Sequence, residues 1–64
     1  MTYILILLII TSGGTVQKDG GQFADLSSCE LEARAQTGDQ RPEAKGMFVS
    51  PNGAAMAYCK LVIS

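Results

Sequence analysis

The chain has 64 residues, 47% of them hydrophobic and 17% charged, with a formal net charge of −1 and no histidine. That length holds a single domain, residues 1–64, near the lower limit for a self-sufficient core, and the apolar content is too high for a disordered chain. The five cations, Lys18, Arg34, Arg41, Lys45 and Lys60, are scattered, so no nucleic acid partner is expected, because phosphate binding draws on clustered Lys and Arg.

Residues 3–10 are apolar except for the tyrosine hydroxyl, and seven of the eight are Ile or Leu. β-Branched isoleucine favours extended backbone, and a continuous apolar run reads as a strand buried on both faces. Tyr3, Leu5, Leu7 and Ile9 go to one face, and Ile4, Ile6, Leu8 and Ile10 to the other. A targeting segment is the alternative, but a spanning helix needs about 20 apolar residues and a signal peptide a basic n-region. The run stops at Ser12-Gly13-Gly14 and begins Met1-Thr2-Tyr3. A cytoplasmic location is therefore favoured over export.

Ser12-Gly13-Gly14 predicts a hairpin turn, followed by a short return strand at Thr15, Val16 and Gln17 that Asp19-Gly20-Gly21 ends. A helix is expected next, with Ser27 as N-cap, Glu30 completing a capping box, and Leu26 and Leu31 forming a hydrophobic staple. Gly38 suits its left-handed terminus. Cys29 and Ala33, four apart, should face the sheet. Residues 39–46 form a polar connection that Pro42 keeps from continuing the helix. Met47, Phe48 and Val49 read as a strand, Ser50-Pro51-Asn52-Gly53 as a turn, and Ala54 or Ala55 to Ile63 as an alternating last strand. The expected fold class is α+β: a small, mostly antiparallel sheet (ββαββ or βαββ) with one short helix on one face. The first and last strands belong towards its centre.

Cys29 and Cys59 cannot by themselves supply a four-ligand metal site, and no histidine completes one. They read either as a disulfide or as two buried thiols, and the expected fold, which brings them together, favours the disulfide. With no histidine in the chain and two glutamates following Cys29, the surroundings disfavour a thiolate, so nucleophilic catalysis is not expected. The glycine pairs precede no helix directly, so they read as turns and not as phosphate loops. No catalytic, cofactor-binding or metal-binding residue is assigned, and the chain is not expected to be an enzyme.

The segment Phe23-Ala-Asp-Leu-Ser-Ser-Cys-Glu30 opens a helix after an apolar first strand, and Ala57-Tyr58-Cys59-Lys60 lies in a final strand. This pattern resembles the many short uncharacterised proteins of bacteriophages and their bacterial hosts. The resemblance implies a small βαββ-type domain with Cys29 paired to Cys59, and it carries no active site.

One short, alanine-rich helix cannot cover a two-faced apolar strand. Burying an Ile or Leu side chain is worth about 1.5 to 3 kcal/mol, so three left bare forfeit roughly 5 to 9 kcal/mol. That rivals the whole stability of a small domain, about 5 kcal/mol or a little more. Self-association through Ile4, Ile6 and Leu8 is expected, with a homodimer as first choice. The leading functional expectation is a non-catalytic interaction protein, phage- or mobile-element-encoded, that binds and blocks a host protein. The alternative is an oligomer that sequesters a small anionic, nucleotide-type ligand, with Arg34, Arg41 and Lys45 as anion contacts and Phe48 or Tyr58 stacking on a base. A third reading is an exported or membrane-associated small protein.

Overall fold

In a computed structural model describing residues 1–63, the opening apolar run is the strand β1, Thr2–Thr11. The chain continues through β2 (Gly14–Phe23), the helix α1 (Leu26–Thr37), β3 (Met47–Val49) and β4 (Ala55–Val62). The strands form one antiparallel sheet in the order β2-β1-β4-β3, so the first and last strands lie at its centre, as expected. The fold is α+β, with α1 as the second layer.

Side-chain alternation sets the core. Cross-strand partners share a face, and the register pairs Leu7 with Ala57 and Leu5 with Cys59, while Phe48 pairs with Ala57. Leu5, Phe48 and Ala57 are buried against Cys29 and Ala33 of α1, with Tyr3, Leu7, Phe23, Ala44 and Cys59 packed around them. The i,i+4 spacing thus delivers the two small helix residues to the sheet. Small side chains let α1 lie close, and Cys29 is joined to Cys59 by a disulfide with a Cα–Cα distance of 6.2 Å.

The helix start differs from the sequence expectation. Asp25, with extended backbone, is the N-cap, and its Oδ1 accepts the Ser28 N–H at 2.7 Å. α1 therefore begins two residues earlier than a Ser27 cap allows. Ser27 and Glu30 form no capping box, and Leu31 is 71% exposed, so there is no Leu26–Leu31 staple. Glu30 instead accepts the Gly46 N–H at 3.4 Å, tying the connection to the helix. The C-terminal expectation holds: Gly38 is left-handed (φ 75°) and donates to the Arg34 carbonyl at 2.8 Å.

β2 is also longer than expected. Asp19-Gly20-Gly21 does not end it, because the glycines lie in a bulge opposite β1, between the Ile4–Gln22 and Ile6–Asp19 pairs. The strand runs on to Phe23, which pairs with Tyr3. The second hairpin follows the sequence reading, with Gly53 donating to the Ser50 carbonyl at 2.9 Å across Pro51 and Asn52.

Candidate functional site

The sheet face opposite α1 is built mainly of apolar side chains. Its rows follow from the pairing: Val49, Met56 and Leu8 in one, Met47, Tyr58 and Ile6 in the next, then Lys60 and Ile4. β2 continues these rows with Gln17, Asp19 and Gln22. An apolar centre is thus bordered on one side by a polar strand. No described element lies over this face.

Ile4, Ile6 and Leu8, the residues expected to mediate self-association, all stand on it. Each is already more than half buried. Covering them fully therefore gains less than covering bare side chains. Ile10 and Met47, at 46% and 44% exposure, are the barer members.

A polar cluster closes the other end of the fold. Asp39 follows the helix-ending Gly38, and only 2% of it is exposed. Its Oδ2 accepts from Arg41 Nη2 at 2.8 Å and from the Val49 N–H at 3.0 Å, while Oδ1 accepts the Arg41 N–H at 2.9 Å. The Arg41 side chain and these backbone N–H groups hold the Asp39 carboxyl well below the usual carboxylate range. The same contact raises the Arg41 guanidinium. Asp39 also occupies an outward N–H of β3, which blunts that sheet edge.

Arg34 braces this loop. Its Nη1 donates to the Arg41 carbonyl at 2.8 Å, and its guanidinium lies 5.1 Å from the centre of the Phe48 ring. Asp39, Gln40, Arg41, Val49, Ser50 and Pro51 line an open cleft here. Its Ser50 hydroxyl donates to Asn52 Oδ1 at 2.7 Å and accepts the Ala55 N–H at 3.0 Å. Among the described residues no buried side-chain N or O lacks a hydrogen-bond partner.

Of the five residues expected to contact a ligand, Arg34, Arg41 and Phe48 come together, while Tyr58 and Lys45 stand apart from them. Phe48 belongs to the core at 2% exposure, whereas Tyr58 faces the opposite side of the sheet. Arg34 and Arg41 are engaged in the loop, and Lys45 is exposed in the connection. Alternation explains the split, since Phe48 pairs with Ala57, the residue before Tyr58. No group of His, Cys, Asp and Glu among the described residues is arranged to hold a metal ion, and none of their helices is long and apolar enough to cross a membrane.

No family model matches the chain, and no curated protein or solved structure shows significant similarity to it. The open sheet face therefore stands on its own geometry. Ile4, Ile6 and Leu8 are joined there by Met47, Val49 and Met56 through the pairing of β3 with β4. The period-two pattern of residues 47–49 and 55–62 carries the sequence signal for these three.

Proposed function

We propose that this chain is a small non-catalytic interaction protein, of the kind phages and mobile elements encode to bind and block a host protein. The supporting observation is the open apolar sheet face, a surface with a hydrophobic centre and polar border like that of protein–protein contacts. The polar groups elsewhere support the same reading. Asp39, Arg41 and Arg34 are spent on holding the loop after α1, which leaves the apolar surface as the chain's main means of recognition.

The test is capture from a bacterial lysate on the immobilised, disulfide-intact chain, with free chain as competitor. One host protein recovered at near-stoichiometric yield and released by competitor is the expected result. Recovery of no specific protein at such yield removes the reading.

A further inference from the structure

We infer that the open sheet face is occupied by a second copy of the chain, packed face to face about a two-fold axis. This rests on the reading of that face as a contact surface and names its first occupant. Area is the first argument. Strands about 4.8 Å apart, rising about 3.3 Å per residue, make the open face roughly 500 Å² in plan. Protruding side chains present more accessible area than that plan. Two such faces amount to roughly 1,000 Å² in plan, about the area a specific interface must clear.

Charge is the second argument. A two-fold contact sets one patch against itself, so a patch of one sign repels its copy. This face carries one cation, Lys60 on β4, and one anion, Asp19 on β2, separated by β1. Opposite charges flanking the central strand are self-complementary across a two-fold axis that runs along it. They also give an anionic surface no basic cluster to attract. Between the charges lie Ile4, Ile6, Leu8 and Tyr58, and sheets packed face to face bury such rows about 10 Å apart. A host protein that binds this face does so in competition with the second copy.

Sedimentation of the oxidised chain across micromolar concentrations, with isotope-filtered NMR on mixed labelled and unlabelled protein, tests the inference. The expected result is a species of twice the 6.8 kDa chain mass, with intermolecular contacts among the methyls of Ile4, Ile6 and Leu8. Ile6→Lys weakens association at least about thirtyfold, as loss of a central anchor does, while Leu31→Lys leaves it unchanged. If Ile6→Lys unfolds, the intermolecular contacts of the unmodified chain decide alone. A monomer at 100 μM, or a dimer whose contacts map to α1 or to the β2 edge, overturns the inference. A monomer that still captures a host protein sinks this inference and spares the functional reading; a dimer that captures none does the reverse.

Discussion

Leu5 occupies the space that a side chain at Gly20 would need. A Cβ built on Gly20 falls 2.7 Å from both Cγ and Cδ2 of Leu5, closer than two carbons can stand. Leu5 is fully buried, so it cannot swing aside into solvent. The bulge in β2 and the packing of the central strand are thus one feature. Gly20→Ala is expected to destabilise the fold by about 1 to 3 kcal/mol, as overpacking does. Gly13→Ala, whose new Cβ meets nothing closer than 3.9 Å, should be nearly neutral. Urea midpoints of the two variants check the contrast, and equal midpoints would refute it.

The disulfide closes a loop across 30 positions, from the first turns of α1 to β4. On the chain-entropy account, a loop of that length contributes about 3 to 4 kcal/mol. This is a large share of what a small domain has. Reduction, or the double substitution of Cys29 and Cys59 by Ser, should lower the thermal midpoint steeply and can leave the chain unfolded at 37 °C. Circular dichroism with and without reductant measures it. A midpoint that does not move would show that the helix is held by packing alone.

Acid should loosen the loop after α1. The carboxyl of Asp39 titrates well below its ordinary value of 3.8 in the folded chain, so its contribution is fully present above about pH 4. That contribution is lost as pH falls below this value towards the folded-state pKa, because the unfolded chain then binds the proton more readily. Asp25, lowered by its bonds to Ser28, acts with the same sign. Asp39→Asn should destabilise at neutral pH and flatten the acid limb of the stability profile. Denaturation midpoints at pH 7 and about pH 3 give the comparison, and parallel profiles for variant and parent would contradict it.

The helix cap offers a sharper local test. Asp25→Ala removes the acceptor of the Ser28 N–H and should lower the thermal midpoint by a few degrees. Ser27→Ala removes no bond and sits at an exposed first-turn position, so it should change little. The reverse ranking would mean that Ser27, and not Asp25, caps the helix.

Periodicity made the central elements legible. Alternation placed the faces of β1 and β4, and the four-residue spacing of Cys29 and Ala33 identified the sheet-facing side of α1. What escaped was local chemistry that depends on distant neighbours. Gly20-Gly21 reads as a turn unless Leu5 is known to lie opposite. Two cap patterns overlap at residues 25–30, and the Ser27–Glu30 pair is the better written one, yet Asp25 holds the Ser28 N–H. Asp39 looks like one more polar loop residue, and only its reach to Val49, ten positions on, makes it a hub. The open face was foreseen from area alone. Its full extent needed the register of β3 on β4.

The sheet order has a consequence for how the chain folds. β4 pairs with β1 along nearly its whole length, from Thr2 against Val62 to Ile9 against Ala55. A first hairpin formed from neighbouring residues therefore carries an unpaired inner edge until β4, more than thirty residues further on, docks against it. Until then Ile and Leu side chains are bare on both sides of β1, beside a row of free backbone donors and acceptors. Such an edge is a template for pairing with other unfolded copies. Refolding yield should therefore fall as chain concentration rises, even where the finished fold is stable.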